Sequence, residues 1–339
     1  MSSTILIYGK WKVGQSLARF CDFIEQPYVL CDDMDAPHDF DQFSSIVPSP
    51  GIPSSHRVYE SGKVLSELDF LARYIPKWFQ VHAVTGTDGK STTSWILYHF
   101  LSRWFWDVPV YIGGNFGTAL ADVLLEIQGK EEKEGHIVLE VSSFMSYQLE
   151  KFYATNTILT NLHPDHLDWH RDLTEYYNAK LNLLAHTKET IVYPASVIPL
   201  FPELPDFPLK AFVMPEDISV ENGLLKISDE SFLDLSDAQL FGAHNIRNIY
   251  SAALLALKFG ITVKTISSIL PTIPALPHRL QVISEKDGKK WIDDSKSTTA
   301  QSLYAALTAF PGKKVHLIAG WKNKGDPFTK LPEYLRQNC

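Results

Sequence analysis

The chain has 339 residues, of which 45% are apolar and 21% are charged, and this composition suits a globular protein of two or three domains. It excludes a disordered chain, a collagen-like fibre and a small disulfide-stapled protein. The net charge of -8 gives no global reason to bind nucleic acid or an anionic membrane surface, so neither partner is expected.

The cysteines and the apolar runs indicate the compartment. Cys21, Cys31 and Cys339 are far apart and lack the spacing of zinc ligands or of a CxxC pair, which favours free thiols in a reducing compartment. No run of about 18 apolar residues occurs, and the first residues lack the basic flank of a signal peptide. We therefore expect a cytoplasmic protein without a membrane span, and a monomer.

Strand-type apolar runs alternate with helix-period segments, the pattern that builds parallel sheets from βαβ units. A first unit is predicted from a strand over residues 4–8, a glycine turn over 9–14, a helix over 15–25 and a strand over 28–31. This order is typical of a Rossmann-like domain.

A second unit starts with a strand over residues 79–85, a glycine-rich loop and a helix from 90 to about 102. After several prolines the chain restarts with two short strands around Val282 and Trp291, a helix over 300–308 and a strand over 315–319. The fold class is therefore α/β, with predicted domains over residues 1–77, 78–274 and 275–339, the last one incomplete.

The sharpest motif is the loop after the second unit's first strand. Glycines there let backbone N–H groups surround phosphate oxygens, Lys90 can reach the β- and γ-phosphates, and the Ser91 hydroxyl can ligate Mg²⁺. Val84 replaces the usual first glycine, so a plain glycine-rich turn with a solvated lysine stays an alternative. The predicted phosphate-binding residues are Gly86, Thr87, Asp88, Gly89, Lys90, Ser91 and Thr92.

The N-terminal turn is a weaker signal. Gly9 and Gly14 keep the outer positions of a dinucleotide fingerprint, but Trp11 occupies the place of the glycine that allows close approach. Asp32 and Asp33 follow the second strand. An ordinary βα turn with acidic surface residues and a nucleotide-type pocket both fit this pattern.

Two clusters follow later strands. Glu140 ends a buried strand on the edge where the phosphate loop lies, so it either ligates Mg²⁺ or caps the next helix. Residues 161–170 hold His163, His166 and His170, which would share one face of a helix and permit a zinc-dependent hydrolase. Pro164 argues against such a helix, which leaves loop histidines as the alternative.

Further residues carry little meaning alone. Lys180 passes as a surface lysine, and Asn245 and Asn248 can cap a helix or contact a purine. Arg279 lies at the border of the third domain, and residues 293–298 form a charged cluster before a helix that Ser297 or Thr298 can cap.

In this order, the motifs resemble the Mur ligase family of ATP-dependent enzymes that form amide bonds. The resemblance includes the Ser49-Pro50-Gly51-Ile52 run, the glycines around Asn115, the strand end from Leu139 to Phe144 and the Leu276-Pro277-His278-Arg279 run. It implies a first domain for a uridine-diphosphate sugar, a central domain for ATP, and a third domain that receives an amino acid.

The resemblance also implies residue roles. Lys90 matches the lysine of the γ-phosphate, Ser91, Glu140 and His166 match the Mg²⁺ site, and Lys180 matches a lysine that the family carbamylates. Asn245, Asn248, Arg279 and Asp294 match nucleotide-binding positions, with Lys296 and Thr298 between phosphate and amino acid. Gly14, Asp32, Gly51, Asn115, Thr298 and Lys324 match substrate-binding positions.

The implied reaction adds D-glutamate to UDP-N-acetylmuramoyl-L-alanine with ATP and Mg²⁺, through an acyl phosphate. Trp11 departs from the family pattern, and family members continue beyond the position of Cys339. A catalytically impaired protein that binds ATP and a UDP-sugar, and a sister ligase of the Mur or folylpolyglutamate type, are the alternatives.

Overall fold

A computed structural model shows the chain as an α/β protein built on several sheets. The structure describes residues 4–35, 37, 39–201, 210–228, 230–238, 240, 242–297, 300–310, 312–320 and 331–338. The α/β class predicted from the sequence is confirmed.

The N-terminal sheet has three parallel strands in the order β2-β1-β3. These are β1 (Ile5–Tyr8), β2 (Tyr28–Cys31) and β3 (Ser45–Pro48), with helices α1 (Lys12–Phe23) and α2 (Glu67–Ala72). All residues of β1 are buried because β1 is the central strand of the sheet and both of its faces are covered. This βαβ opening confirms the Rossmann-like prediction for the start of the chain.

Helix α1 begins three residues earlier than predicted. Trp11 is extended and precedes the first helical residue, so the turn between β1 and α1 is very short. A Cβ atom on Gly14 would lie 1.9 Å from the carbonyl oxygen of Gly9, so only glycine allows this approach of helix to strand. The outer glycines of the fingerprint thus serve close packing.

The central sheet has six parallel strands in the order β5-β6-β4-β7-β8-β9. Its strands are β4 (Trp78–Thr85), β5 (Val110–Gly114), β6 (Glu134–Glu140), β7 (Ala154–Leu159), β8 (Thr187–Pro194) and β9 (Lys210–Met214). Its helices are α3 (Lys90–Trp104), α4 (Leu120–Gly129), α5 (Leu173–Ala185), α6 (Ala243–Lys258) and α7 (Val263–Ile269).

Side chains on the two faces of this sheet enter different cores. Ala83 and Ile137 belong to a core that includes α4 and reaches the N-terminal sheet, whereas Val84 and Val138 belong to a core with α3 and α6. Adjacent strand residues point to opposite faces, so these strands read as continuous apolar runs. The parallel register brings the ends of β4 and β6 to one edge, with Val84 opposite Glu140.

Two small antiparallel sheets complete the described fold. One contains β10 (Val220–Glu221), β11 (Leu224–Ser228) and β12 (Ser231–Asp234), and the other pairs β13 (Gln281–Lys286) with β14 (Lys289–Asp293). Helices α8 (Ala300–Thr308) and α9 (Leu331–Asn338) follow. The strand predicted over 315–319 is wrong, because these residues pair with no strand in the described part of the chain and adopt no regular structure. The domain boundaries stay predictions.

Across the residues that the structure describes, no helix is both long enough and apolar enough to cross a bilayer.

Candidate active site

The phosphate loop lies between β4 and α3 as predicted. Gly86 and Gly89 have φ angles of 140° and 79°, and a Cβ on Gly86 would lie 1.9 Å from Thr160 Oγ1. Gly89 precedes α3 and no described side chain caps this helix, so the first backbone N–H groups of α3 stay available to an anion. These glycines allow a loop that other residues would strain or block.

Lys90 and the residues after it begin α3 beside this loop. The Nζ atom of Lys90 donates to the carbonyl oxygens of Gly86 at 2.9 Å and Thr87 at 2.7 Å. Burial lowers the pKa of Lys90, and the carboxylates of Glu140 and Asp88 oppose that effect. Ser91 and Thr92 are each 8% exposed in the first turn of α3. Because two backbone carbonyl oxygens hold the Lys90 ammonium, the alternative of a solvated lysine is wrong.

Glu140 sits at the end of β6 with one carboxylate oxygen unpaired. Its Oε1 accepts a hydrogen bond from Asn115 Nδ2 at 2.6 Å, while its buried Oε2 has no partner among the described residues. Glu140 caps no helix in the described part of the chain, so that alternative is wrong. A buried carboxylate oxygen without a donor beside a phosphate loop suits a cation, since leaving it unpaired costs free energy.

Lys180 approaches the same loop from α5. It is 1% exposed, and its Nζ donates to the carbonyl oxygen of Gly86 at 2.8 Å. Burial, followed by the positive charge of Lys90, holds the pKa of Lys180 well below its usual range. The interpretation of Lys180 as a surface lysine is wrong.

The loop after β7 lines the other side of the phosphate loop. The carbonyl oxygen of His163 accepts from Thr87 Oγ1 at 3.0 Å, and the ring of His166 packs edge-on against Phe144 at 4.7 Å. Burial lowers the pKa of His166, while Asp165 opposes this and Lys90 and Lys180 add to it. His166 therefore lies in the electrostatic field of both lysines.

The histidines do not form a zinc site in the described structure. Residues 161–170 are not helical, so no helical face is shared. The imidazole of His170 turns inward to Ser143 Oγ at 2.9 Å instead. The described residues contain no group of three or more His, Cys, Asp or Glu side chains placed to hold a metal.

A cavity of 380 Å³ opens beside the phosphate loop and gathers the predicted nucleotide residues. Asn248 Nδ2 donates to Asn245 Oδ1 at 3.0 Å, and Asp294 accepts from Ser297 Oγ at 2.6 Å. Residues from widely separated parts of the chain thus line one space large enough for a nucleotide. The predicted residues among its lining are Asp88, Gly89, Thr92, Asn245, Asn248, Arg279 and Asp294.

Comparisons with known proteins agree with this geometry. A family model described as the Mur ligase middle domain matches residues 84–199, the segment that holds Lys90, Glu140, His166 and Lys180. UDP-N-acetylmuramoylalanine–D-glutamate ligase of Aquifex aeolicus is 31% identical over 86% of this chain and 69% of its own length. The protein of the same name from Hydrogenobaculum is 33% identical over 87% and 70%. The chain belongs to the Mur ligase family.

Solved structures show the Mur ligase fold in the same way. MurF ligase from Thermotoga maritima, in complex with ADP, superposes with a TM-score of 0.57 at 19% identity and covers 91% of this chain and 73% of its own. A UDP-N-acetylmuramoyl-L-alanyl-D-glutamate–2,6-diaminopimelate ligase gives 0.57 at 17% identity, with 90% and 66% covered. These similarities support the fold.

In this Mur ligase, the predicted sugar-nucleotide residues lie at the carboxyl edge of the N-terminal sheet. Asp32 follows β2 and lies 3.9 Å from Lys10 Nζ. The ring of Trp11 covers Gly51 so closely that a Cβ there would be 2.8 Å from Trp11 Cζ3. Gly14 packs under the same turn, and Lys12 Nζ donates to the carbonyl oxygen of Gly117. Trp11 is 61% exposed, and its ring covers a surface beside Gly51 that would be open if a glycine stood at position 11, as in the dinucleotide fingerprint.

Other predicted residues lie apart from the nucleotide cavity or outside the described residues. Asn115 follows β5 and donates a hydrogen bond to Glu140. The Nζ atom of Lys296 lies 5.5 Å from the ring centroid of Phe116, the residue after Asn115. Lys296 therefore faces the strand edge that bears Asn115. The predictions for Thr298 and Lys324 fall outside the described residues, and the role of every site residue stays a prediction.

Sequence reasoning missed two side-chain clusters, of which only the second is buried. Tyr8 OH donates to Asp33 Oδ1 at 2.6 Å, and His56 Nε2 lies 3.0 Å from the same oxygen. Ser143, His170 and Glu175 form the second cluster. The partners lie up to 48 residues apart in the first cluster and 27 apart in the second, and no local motif signals either contact.

Proposed function

We propose that the chain is an ATP-dependent ligase that adds D-glutamate to UDP-N-acetylmuramoyl-L-alanine in peptidoglycan precursor synthesis. The relatives named UDP-N-acetylmuramoylalanine–D-glutamate ligase support the assignment of these substrates. The observation that carries the proposal is the meeting of Lys90, Lys180 and the unpaired oxygen of Glu140 around one phosphate loop. No comparison favours a catalytically impaired homologue.

The first step transfers the γ-phosphoryl group of ATP. A carboxylate oxygen of the L-alanyl end attacks the γ-phosphorus, the bond to the β-phosphate oxygen breaks, and ADP leaves with an acyl phosphate formed. Such transfers need positioning and charge stabilisation more than covalent help from the protein. The loop N–H groups and the Lys90 ammonium supply both when Lys90 exchanges its contacts with Gly86 and Thr87 for phosphate oxygens.

The second step forms the amide. The neutral amine of D-glutamate attacks the carbonyl carbon of the acyl phosphate, inorganic phosphate leaves, and the nitrogen loses a proton. No protein nucleophile is required for this sequence. Lys296, whose Nζ lies 5.5 Å from the Phe116 ring centroid, would balance negative charge as phosphate departs.

The residues present fit a magnesium ion. The unpaired Glu140 Oε2 is an oxygen ligand of the type that Mg²⁺ prefers, and the Ser91 hydroxyl lies in the first turn of the adjoining helix. His166 is the third candidate near this edge. Bound Mg²⁺ would neutralise charge on the transferring phosphoryl group.

We extend the proposal to carbamylation of Lys180. Its depressed pKa favours the neutral amine, which is the form that can attack the carbon of CO₂ and lose a proton to give a carbamate. The product carries one negative charge and can balance the nearby lysine and cation. The protein labelled with ¹³CO₂ should show a carbamate signal that is absent from Lys180→Arg, and an unchanged spectrum in that variant would contradict the assignment.

The acyl phosphate gives a direct test of the mechanism. UDP-N-acetylmuramoyl-L-alanine labelled with ¹⁸O in its carboxylate should transfer one labelled oxygen to inorganic phosphate during turnover. Phosphate without the label would exclude attack by the carboxylate on ATP. Because the proposed reaction uses ATP and a nucleotide sugar, we expect it to take place in the cytoplasm.

A further inference from the structure

Three buried polar side chains line up behind the phosphate site. Ser143 Oγ lies 2.9 Å from His170 Nε2, and His170 Nδ1 lies 3.6 Å from Glu175 Oε2. The His170 side chain is 0% exposed and that of Glu175 is 8% exposed. The order serine, histidine, carboxylate is that of a nucleophile, a base and an orienting acid.

Burial argues against a nucleophilic role for Ser143. The residue is 1% exposed, and the imidazole of His170 is enclosed by the rings of Phe144, Trp169 and Tyr176, with centroids at 5.7, 4.5 and 5.4 Å. A nucleophile has to be reached by its substrate. The arrangement instead suits a fixed link, in which Ser143 donates to Nε2, and Nδ1, which has no hydrogen-bond partner among the described residues, lies 3.6 Å from the Glu175 carboxylate.

Each member of this link lies close along the chain to one residue of the proposed magnesium site, which consists of Glu140, His166 and Lys180. Ser143 follows Glu140 by three residues, and Glu175 precedes Lys180 on α5 by five. The backbone N–H of His170 donates to the carbonyl oxygen of His166 at 3.0 Å. The link therefore joins the three chain segments that carry Glu140, His166 and Lys180.

Glu175 extends the link to the N-terminal part of the chain. Its Oε2 accepts from Ser54 Oγ at 3.1 Å, three residues after Gly51 in the predicted sugar-nucleotide loop. Its Oε1 accepts from Arg171 Nε at 2.8 Å and from Tyr147 OH at 3.3 Å. The carboxylate is thus fixed from several sides and offers a rigid anchor to His170.

We propose that His170 is a positioning residue, which through Ser143 and Glu175 holds the Glu140 and Lys180 segments at the spacing that a divalent cation on the nucleotide needs. This inference rests on the proposed function, which assigns Glu140, His166 and Lys180 to a magnesium site. Groups hydrogen-bonded directly to metal ligands commonly change metal affinity or activity by about 10- to 100-fold when replaced, and His170 reaches the proposed ligands through the segments of Ser143 and Glu175.

The test compares three variants of the full chain. His170→Phe keeps a ring but removes both polar contacts, and His170→Gln keeps an amide that can reach Ser143. His186→Phe is the matched control, since His186 follows the last residue of α5, its Nδ1 lies 2.7 Å from Asn182 O, and its ring packs on Tyr153. Binding of Mn²⁺ to the protein with a non-hydrolysable ATP analogue is measured by electron paramagnetic resonance, beside kcat and the KM for ATP.

We expect His170→Phe to weaken Mn²⁺ binding by about 10- to 100-fold and to lower kcat more than it changes the KM for ATP. His170→Gln should recover much of the loss, and His186→Phe should bind Mn²⁺ like the unmodified chain. Unchanged Mn²⁺ binding in His170→Phe, or an equal loss in His186→Phe, would overturn the proposal.

A milder change keeps the test decisive if His170→Phe does not fold. Ser143→Ala removes one hydroxyl and should still weaken Mn²⁺ binding by severalfold, whereas unchanged binding in this variant would overturn the proposal. Because Mn²⁺ binding needs neither amino acid nor nucleotide sugar, a His170-dependent Mn²⁺ site without ligase product would reject the proposed function alone.

Discussion

The Nζ atom of Lys180 donates to the carbonyl oxygen of Gly86 at 2.8 Å, so helix α5 is attached directly to the phosphate loop. Gly86 also accepts from Lys90 at 2.9 Å. The buried Lys180 and the partly buried Lys90 thus share one carbonyl oxygen of the loop where phosphate is proposed to bind. The arrangement links the chemistry of the loop to the position of α5.

Lys90→Ala should lower kcat by about 10²- to 10³-fold, because the transition state loses the ammonium that spreads the charge of the transferring group. The fold should be kept, as judged by circular dichroism. Lys133→Ala, at an exposed position, is the control and should turn over like the unmodified chain. Turnover within about twofold of normal in Lys90→Ala would reject the assignment.

Glu140→Gln should raise the Mg²⁺ concentration for half-maximal activity by at least about tenfold, because the unpaired oxygen loses its charge without a change in volume. A Mg²⁺ titration of the initial rate measures this. The exposed pair of Glu126 with Lys130 provides the control Glu126→Gln, for which the titration curve should not move. An unshifted curve in Glu140→Gln would remove Glu140 from the metal site.

Glu67 predicts a pH dependence of stability. Both its oxygens are buried without a partner among the described residues, and burial, followed by Asp122, raises its pKa from 4.5 to about 8. The folded state then binds more protons than the unfolded state between these values, so stability falls as pH rises from about 4.5 to 8. Glu67→Gln should therefore be more stable than the unmodified chain at pH 8, by up to about 4 kcal/mol, and similar to it near pH 5.

Urea unfolding at both pH values measures this difference. Glu126→Gln serves as the exposed control and should change stability by less than about 0.5 kcal/mol at either pH. An equal gain from Glu67→Gln at both pH values would show that the carboxyl group is not protonated in the folded chain at neutral pH.

Gly14→Ala should destabilise the N-terminal sheet by about 1 to 3 kcal/mol, because the new Cβ meets the carbonyl oxygen of Gly9 at 1.9 Å. Gly129→Ala is the matched control, since nothing lies within 4 Å of its added Cβ, and it should be neutral or slightly stabilising. Thermal unfolding compares the two. Equal melting temperatures would contradict the close approach of α1 to β1.

The phosphate loop could be predicted because its signal is local: glycines, a lysine and a hydroxyl residue fall between one strand and one helix. The position of Lys180 required a family resemblance, since its burial depends on how α5 packs against Gly86, 94 residues away. The contact of Ser143 with His170 has no sequence signature for the same reason. The strand predicted over 315–319 failed because apolar residues alone do not supply a pairing neighbour.

The most direct test of the central claim is the mass of the product. The chain is mixed with ATP, Mg²⁺, UDP-N-acetylmuramoyl-L-alanine and a panel of amino acids that includes D-glutamate, L-glutamate and diaminopimelate. The account predicts one new nucleotide-sugar product that carries D-glutamate alone, formed with an equal amount of ADP. A product that carries another amino acid, or bound ATP with no product at all, would contradict it.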